Sequence, residues 1–421
     1  MAQDRLFEQL WDGSAPMEAW TAAVAEGVGT VVADGILTVH STYFCGSVTA
    51  IRTSEGLVLI DTANAALAAQ TLAAIRRWDD SAVHTVIYTH GHIDHTGGMA
   101  ALDAEAAARG VPRPRIVAHR DVRRRMERYK ATQGFVSVVQ GQQFNYPDYT
   151  YPVGQRQPDE VYDEAMVLTI GGERLELFHG RGETDDATFV WLPGRRVLAS
   201  GDFVIWMFPN AGNPRKVQRY AAEWAATLRR MRALGPEVLI PGHGPVIFGA
   251  GRAGQVLEEG AALLESLVAQ TLALMNRGCT LDEVLHGVTA PAGLLERPWL
   301  RPQYDDPEFV VRAVWHLNGG WFDGDAAHLK PAPTAELAAE IAALAGGAGL
   351  LAARAAALAA EGRTRLAAHL AEFAAGAAPG DRAVQAARAA VLEACMARET
   401  SLMGRAFLSV YQRDAKARAG E

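Results

Sequence analysis

The sequence contains few cysteines and no excess of positive charge. Its three cysteines, Cys45, Cys279 and Cys395, lie far apart in a chain of 421 residues, which argues against a disulfide framework. The formal net charge is −8 and the pI is near 5.9, so nothing indicates a nucleic-acid partner. We expect reduced thiols and a cytoplasmic protein.

The sequence also lacks segments that would direct it into or across a membrane. The N-terminal stretch MAQDRLFEQLWDGSAP contains charges and has no apolar core of the kind found in a signal peptide. No uncharged apolar run reaches the roughly 18–20 residues that a membrane span requires. We therefore expect neither a leader nor a membrane span.

Short β-rich runs, broken by glycine, aspartate and proline, occupy the chain from about residue 27 to residue 248. Between several of them lie segments such as ALAAQTLAAIRRW (66–78), whose apolar spacing is typical of amphipathic helices. This alternation predicts a layered α/β domain. The stretch VSVVQGQQFNYPDYTYPVG (136–154) is rich in tyrosine and glutamine, and we expect a substrate-facing loop there.

The composition changes after about residue 252. The run QVLEEGAALLESLVAQTLALMNRG (255–278) predicts one long helix ended by Gly278. Residues 334–416 are mostly alanine, leucine, arginine and glutamate, which predicts an all-α domain. Amphipathic helices of this kind pack against helices of the same chain or of a partner. We therefore divide the chain into a catalytic domain, 1–255, and a helical domain, 256–421.

The stretch THGHIDHTGG (89–98) follows an apolar strand directly and precedes a predicted helix. Such strand ends are where α/β folds place their sites. His90 and His92 can point at one metal ion, and Asp94 and His95 can point at a second ion beside it. Neutral imidazole and carboxylate are ligands that zinc prefers. The alternative, a histidine-rich surface loop, does not explain the position between a buried strand and a helix.

Two later strand ends provide further candidate ligands. LASGDF places Asp202 after an apolar strand, where its carboxylate can bridge two ions, and EVLIPGHGPV places His243 in a glycine-flanked turn. The alternatives are a turn cap for Asp202 and a hydrogen-bonded loop histidine for His243. Two adjacent ions can share a hydroxide and polarise the bond under attack. Asp94 can in addition act as the general base toward that water.

The order of these motifs resembles the metallo-β-lactamase superfamily: STYFCGSVTAIRTSEGLVLIDT, then HxHxDH, SGD and PGHG. The resemblance implies a four-layer αβ/βα sandwich with two zinc ions between the sheet edges. Most members carry a Gly-His-Thr turn where this chain reads FHGRGETDDATF, with Glu183 in place of the histidine. A glutamate there resembles the alkyl sulfatases, a zinc-dependent branch. His179 is the open alternative ligand, and Asp185 or Asp186 could orient a ligand histidine.

The similarity to the alkyl sulfatase branch extends from about residue 25 to residue 410. It implies hydrolysis of alkyl sulfate esters with an apolar chain, and a homodimer formed through the helical domain. The chain departs from the best-known members in two respects. It offers Asp202 where they have a bridging glutamate, and it shows no segment like their C-terminal sterol-carrier-like domain. The resemblance therefore supports the fold and the metal site more strongly than it supports an alkyl sulfate as the substrate.

The segment PNAGNPRKVQRY (209–220) brings amides and cations close after Asp202. We expect substrate-binding roles for Asn210, Asn213 and Arg219, because amide and guanidinium groups hold the oxygens of a sulfate. A helix predicted to begin after Pro214 would add N–H donors. Tyr43 precedes the strand that faces the metals in this fold and is a further candidate. The alternative for residues 209–220 is that they form a solvated helix start without a role in binding.

Several alternatives remain open from the sequence. The same fold and metals can serve a lactone, a thioester, a β-lactam or a phosphodiester. A non-catalytic dimerisation scaffold and a mononuclear iron oxygenase are further hypotheses. The scaffold hypothesis conflicts with the free-energy cost of keeping buried carboxylates and imidazoles that have no function. The oxygenase hypothesis conflicts with the Asp94–His95 pair, which indicates two metals. Attack at carbon and attack at sulfur would use the same residues.

Overall fold

Two β-sheets form the centre of the first domain in the computed structural model, which describes residues 2–25, 27–40, 42 and 45–420. The first sheet has the strand order β1-β2-β3-β4-β5-β6-β7 and the second β13-β12-β11-β10-β9-β8. The strands are β1 (Val28–Ala33), β2 (Ile36–His40), β3 (Val48–Thr53), β4 (Gly56–Ile60), β5 (Val83–Ile87), β6 (Arg115–His119), β7 (Glu160–Tyr162), β8 (Ala165–Ile170), β9 (Glu173–His179), β10 (Thr188–Leu192), β11 (Val197–Gly201), β12 (Val238–Pro241) and β13 (Ile247–Phe248).

The two sheets face each other across an aliphatic core. Strand β4 pairs in parallel with β5, and β5 with β6, so these short apolar runs are buried on both faces. One set of their side chains meets inward-facing side chains from the second sheet. This inter-sheet core includes Ile51, Val58, Ile60, Ile87, Val117, Leu175, Leu177, Val190, Leu192 and Ile240.

Helices cover the outer face of each sheet, which confirms the predicted αβ/βα sandwich. Residues of α3, α5 and α6 pack on the first sheet, and residues of α8 and α9 pack on the second. The helices of this domain are α1 (Ala2–Trp11), α2 (Met17–Val24), α3 (Ala68–Trp78), α4 (Ile93–Thr96), α5 (Met99–Arg109), α6 (Asp121–Ala131), α7 (Gln133–Phe144), α8 (Ala221–Ala233) and α9 (Ala250–Met275). The N-terminal helices α1 and α2 join the same core as α8 and α9.

The remainder of the described chain is helical, as predicted. Its helices are α10 (Leu281–Gly287), α11 (Ala292–Leu295), α12 (Pro307–Gly319), α13 (Thr334–Leu344), α14 (Ala348–Ala360), α15 (Thr364–Ala377), α16 (Arg382–Met396) and α17 (Leu402–Ala419), with 3₁₀ turns at Pro298–Leu300 and Ala326–His328. Small side chains such as Ala355, Ala367, Ala371 and Ala374 are buried between α14, α15 and α16, so these helices approach closely. The predicted domain boundary after residue 255 lies inside α9 and stays a prediction.

The predicted loop over residues 136–154 is partly wrong. Helix α7 extends to Phe144, and only the residues after it are irregular. The run lacks charged residues and contains Gly134 and Gly141, so its local sequence does not favour a helix. Its contacts with α17 and the burial of Val139 supply the stabilisation that the local sequence does not.

The predicted helix start after Pro214 is also wrong. Helix α8 begins at Ala221, and residues 214–217 form turns and bends. The following residues are tied to a neighbouring loop, because the Tyr220 N–H donates to the carbonyl of Gly182 at 3.1 Å and Arg219 is buried beside Glu183. A helix over this segment would break those contacts.

No single helix in the described part of the chain is both long enough and apolar enough to cross a membrane. The pair α13 and α14 meets the length and composition criteria only jointly and is bent by 86°.

Candidate metal centre

Parallel pairing of β11 with β12 brings two of the predicted ligands to one sheet edge. Gly201 lies opposite Pro241 in the register of these strands, so Asp202 and His243 both follow the carboxyl ends of neighbouring strands. Across the sandwich, His90, His92, Asp94 and His95 follow the carboxyl end of β5. The ligand residues therefore converge from separate strands of both sheets.

The first group of converging ligand atoms belongs to His90, His92 and Asp202. The Nε2 atom of His90 lies 2.8 Å from Nδ1 of His92 and 3.6 Å from Oδ2 of Asp202. His90 Nδ1 lies 3.1 Å from the hydroxyl of Thr89, so Nε2 is the nitrogen turned toward the group. These three donors suit one divalent cation.

The second group belongs to Asp94, His95 and His243. The Oδ2 atom of Asp94 lies 3.4 Å from Nε2 of His95 and 3.4 Å from Nε2 of His243. The Oδ1 atom of Asp202 lies 3.3 Å from the first of these nitrogens and 3.5 Å from the second. One oxygen of Asp202 thus faces each group, which is the arrangement expected of a bridging carboxylate.

Two glycines allow the close approach of this carboxylate and of His95. A Cβ atom on Gly242 would lie 2.0 Å from Oδ1 of Asp202, and a Cβ atom on Gly46 would lie 2.5 Å from Cε1 of His95. Side chains at either position would displace a ligand. The PGHG motif is therefore needed for space as well as for its histidine.

Asp61 fixes the tautomer of His95. Its Oδ2 atom lies 2.7 Å from Nδ1 of His95, and it also accepts hydrogen bonds from the backbone and hydroxyl of Thr89. With Nδ1 donating to Asp61, Nε2 is the nitrogen that faces the carboxylates of Asp94 and Asp202, where its lone pair could bind a metal ion. Neither Nε2 of His95 nor Oδ1 of Asp202 has a hydrogen-bond partner among the described residues, although both are buried. A divalent cation between them would satisfy both atoms, so the residues fit a metal.

The charges of the cluster are strongly coupled. Burial lowers the pKa of His90 to about 4, which keeps its imidazole neutral as metal ligation requires. Burial also opposes charge on His243, but the carboxylates of Asp202 and Asp94 outweigh it and raise the pKa of His243 to about 10. Burial alone would raise the pKa of Asp94, yet His95 and His243 hold it well below its usual value. A divalent cation would replace the protons that these carboxylates favour on His95 and His243.

Glu183 lies beside the cluster but outside both groups of converging atoms. Its Oε1 atom accepts hydrogen bonds from Nδ2 of Asn210 at 2.5 Å and faces Nη1 of Arg219 at 3.0 Å. Burial, with Asp202 nearby, raises the pKa of Glu183 to about 7 against the effect of Arg219. His179 lies on β9 with its ring stacked on His119 at 3.7 Å and its Nδ1 near the carbonyl of Ala187. Of these two alternative ligands, Glu183 is the one that lines the cavity.

The other predicted substrate contacts have different surroundings. Asn210 and Arg219 line the cavity, whereas Asn213 is not among its lining residues. The Asn213 side-chain amide donates to Sδ of Met403 at 3.2 Å, and its backbone N–H donates to Asp305. Tyr43 lies outside the described residues.

Asp185 and Asp186 do not orient a ligand imidazole directly. Asp186 accepts a hydrogen bond from the backbone N–H of Gly91 at 2.9 Å, between His90 and His92, and pairs with Nε of Arg125 at 2.8 Å. Asp185 pairs with the same guanidinium. Arg125 is buried, so this network positions the backbone of the ligand loop.

A cavity of about 680 Å³ opens above the two groups. Its floor includes His92, Asp94, Asp202 and His243, and both α7 and α17 contribute walls. The remaining lining residues are mainly amides, aromatic rings and aliphatic groups: Asn64, Ile93, Gln140, Gln142, Gln143, Phe144, Asn145, Tyr146, Tyr149, Tyr151, Ile205, Lys216, Tyr304, Met396, Leu402, Arg405, Ala406 and Ser409. A volume of this size suits an organic substrate of small-molecule dimensions.

Asp61, Arg125 and the wall formed by α17 were not predicted from the sequence. Asp61 carried a usable signal, because LVLIDT places an aspartate after an apolar strand as LASGD does. Arg125 is one of five arginines within residues 120–128, and nothing in their spacing distinguishes the buried one from the others. The contribution of α17 depends on its packing against α7, more than 250 positions away in the sequence, which sequence spacing does not show.

Two family models match the chain. Residues 44–243 match the metallo-β-lactamase superfamily, and residues 280–417 match the alkyl sulfatase dimerisation family. A solved structure of a stereoselective inverting sec-alkylsulfatase, Pisa1 from Pseudomonas sp., superposes with a TM-score of 0.81 at 23% identity. The superposition covers 94% of this chain and 66% of that chain. This likeness shows the fold of both domains.

Curated relatives are similar at the sequence level over most of the chain. A linear primary-alkylsulfatase from Pseudomonas sp. (strain ATCC 19151) is 28% identical over 318 residues, which cover 70% of this chain and 60% of the relative. An alkyl/aryl-sulfatase from Saccharomyces cerevisiae is 27% identical over 346 residues, covering 73% of this chain and 52% of the relative. The chain thus spans between half and three-fifths of the length of these relatives.

Proposed function

Because the chain joins a metallo-β-lactamase domain to an alkyl sulfatase dimerisation domain, we propose that it hydrolyses alkyl sulfate esters at the metal centre. The observation that carries this proposal is the convergence of two ligand groups on the floor of one cavity walled by both domains. The similarity to alkylsulfatases supports the sulfate ester as the substrate class.

We propose that the centre holds two zinc ions per subunit. Asp202 would serve both ions, and the remaining ligands would divide into His90, His92 and Glu183 for the first ion and Asp94, His95 and His243 for the second. Zinc supplies Lewis acidity, and it makes water acidic enough to act as a nucleophile near neutral pH. The orphaned buried atoms of His95 and Asp202 support this assignment.

Asp94 is the proposed general base. His95 and His243 keep its pKa well below the usual value, so its carboxylate is ionised at neutral pH, and the proposed role rests on its position beside the cavity. Its side chain lines the cavity and therefore has access to both water and substrate. Asp61 and the Arg125–Asp186 pair hold the surrounding histidine loop in place.

Asn210 and Arg219 are the proposed contacts of the substrate nearest to the ligands, because both line the cavity and both are buried. Asn213 and Tyr43 stay predictions for the same role. The aliphatic and aromatic groups farther along the cavity would hold the apolar chain of the ester.

We also propose a homodimer formed through the helical domain. Large apolar side chains are exposed along α12, α13, α14 and the segment that follows α12, namely Leu317, Trp321, Leu329, Leu337, Leu344 and Leu350. Exposed apolar groups at this density mark protein interfaces. The cytoplasmic location rests on Cys45, Cys279 and Cys395, which are free thiols.

The test is a hydrolysis panel run on metal-replete protein. Sulfate release from dodecyl sulfate would be compared with turnover of a lactone, a thioester, a β-lactam and a nitrophenyl phosphodiester. The metal content of the same preparation would be measured by elemental analysis. Preferred turnover of dodecyl sulfate at two zinc ions per chain supports the proposal. Turnover of another ester alone, or full activity in excess chelator, contradicts it.

A further inference from the structure

Lys216 lies in the irregular segment between β11 and α8 and lines the cavity together with Glu183, Asn210 and Arg219. It is partly exposed to the cavity, and the side chain is otherwise enclosed by protein. A cation in this position faces the space that a substrate must occupy to reach the ligand cluster.

Three described cations line the cavity: Lys216, Arg219 and Arg405. Arg219 is already engaged, because its Nη1 donates to the backbone carbonyl of Glu183 and lies 3.0 Å from the carboxylate of the same residue. Arg405 belongs to α17 and is exposed to solvent. Among the residues that the structure describes, none forms a hydrogen bond or an ion pair with the ammonium of Lys216. Among these three described cations, Lys216 is therefore the enclosed one whose charge is not already paired within the protein, whereas Arg219 would contact the substrate while still held by Glu183.

The neighbouring cation Arg215 has a different environment. Its Nη1 donates to Oε1 of Gln142 at 2.5 Å, and the guanidinium lies over the rings of Phe135 and Phe407. Arg215 is also absent from the residues that line the cavity. Of these two adjacent cations, Lys216 therefore faces the cavity and Arg215 does not.

The charged groups around Lys216 are Arg219 on its own segment, Glu183 on the loop after β9, Asp94 on α4 and Arg128 on α6. Burial and Arg219 lower the pKa of Lys216 to about 7, although Glu183 and Asp94 oppose the shift. Near neutral pH the side chain is therefore divided between the amine and the ammonium. An anion beside it would favour the ammonium.

We propose that Lys216 receives the anionic sulfate group of the substrate and binds it as an ammonium. This inference rests on the proposed sulfate ester hydrolysis, since it names the residue that holds the ester's charged end. When the free side chain is an amine, binding takes up one proton from solvent, and no bond to the substrate forms or breaks in this step.

The pH dependence follows from the direction of the proton uptake. Below about pH 7 Lys216 of the free protein is already an ammonium. In that range its protonation does not make the affinity for sulfate depend on pH. Above pH 7 the amine must first be protonated, so the affinity falls by up to about tenfold per pH unit. An arginine at the same position stays charged throughout and would remove this dependence.

The experiment is calorimetric titration of metal-replete protein with inorganic sulfate at pH 8, in two buffers of different ionisation enthalpy. The native protein should take up a substantial fraction of one proton per sulfate, and the Lys216→Arg variant should take up less than a quarter of that amount. The Lys216→Gln variant should bind sulfate roughly tenfold to a hundredfold more weakly, as for loss of a hydrogen bond to a charged group. Lys130→Gln, which removes an exposed lysine outside the cavity, should behave as the native protein does.

Native affinity for sulfate in a correctly folded Lys216→Gln variant would overturn the inference, as would equal proton uptake by the native and arginine forms or no saturable binding by the native protein. Melting temperatures of all variants establish correct folding. Dodecyl sulfate hydrolysis is measured separately. If sulfate binding depends on Lys216 but no ester is hydrolysed, the proposed function is refuted and this inference is not. Hydrolysis with an unchanged KM in Lys216→Gln refutes this inference alone.

Discussion

Asp61 determines which nitrogen of His95 faces the ligand cluster. It directly follows β4 in a left-handed backbone conformation with φ of 62°, which is unusual for a residue other than glycine. Its carboxylate accepts from Thr89 as well as facing His95. Strain of this kind is retained where the surroundings fix a functional geometry.

Replacing Asp61 with asparagine should weaken metal binding by about tenfold to a hundredfold, the usual effect of losing a carboxylate behind a ligand histidine. The asparagine amide can donate to Nδ1 of His95 and so favours the wrong tautomer. Zinc affinity would be measured by competition with a chromogenic chelator. Asp80→Asn, at an exposed aspartate far from the cluster, serves as the control. Unchanged zinc affinity in Asp61→Asn would contradict the tautomer argument.

Replacing Asp202 with alanine should remove a ligand from both groups at once. We expect less than one metal ion per chain and a loss of activity of roughly a hundredfold or more, beyond the effect of a supporting residue. Elemental analysis and dodecyl sulfate hydrolysis would be measured on the same preparation. A variant that retains two ions and native turnover would refute the bridging assignment. Asp80→Ala would show the effect of an aspartate lost elsewhere.

At the residue scale, the positions of side chains that directly follow apolar strands could be predicted from the sequence. The positions of side chains that act by contacting distant residues could not. His90, His92, Asp94, His95, Asp202 and His243 all follow short apolar runs, so strand prediction alone places them together at sheet edges. The environments of Arg125 and Lys216 depend on neighbours distant in sequence. Spacing along the chain carries no information about those neighbours.

At the scale of elements, α7 and α17 define the upper part of the cavity. Leu402, Arg405, Ala406 and Ser409 recur at helical spacing on one side of α17 and line the cavity opposite residues of α7. The sequence predicted α17 as part of a helical domain and predicted α7 as a loop. Neither prediction anticipated that the two helices pack together, because that contact is tertiary.

Replacing Ala406 with tryptophan should reduce the volume available to the organic part of the substrate. Indole occupies far more space than a methyl group, and neighbouring α17 residues cannot move without losing packing. We expect kcat/KM for dodecyl sulfate to fall by roughly tenfold, with a smaller effect on a short-chain sulfate ester. The control is Ala417→Trp, which places the same side chain at an exposed position of the same helix. Equal losses for both substrates would contradict a role in substrate selection.

At the scale of the whole molecule, the helical domain presents apolar surface and the sandwich carries the candidate metal ligands. Leu344 is 87% exposed and Trp321 is 64% exposed, values that a monomer in water does not favour. The family model for dimerisation covers this part of the chain.

If Leu344 lies in the proposed dimer interface, replacing it with glutamate should weaken the dimer at least tenfold, because it would bury a carboxylate without a partner. Analytical ultracentrifugation over a concentration series measures the dissociation constant. Val31→Glu, at an exposed position of β1 in the first domain, is the control and should leave the dissociation constant unchanged. A native constant for Leu344→Glu would exclude this face from the interface.

The packing of α17 against α7 has an evolutionary consequence. The cavity-lining residues of α17 begin at Leu402, whereas the candidate metal ligands lie between His90 and His243, so substitutions on α17 can reshape the cavity without altering a candidate ligand. Under the proposed function, selection on α17 would broaden or narrow the range of accepted esters while the candidate metal centre stays unchanged.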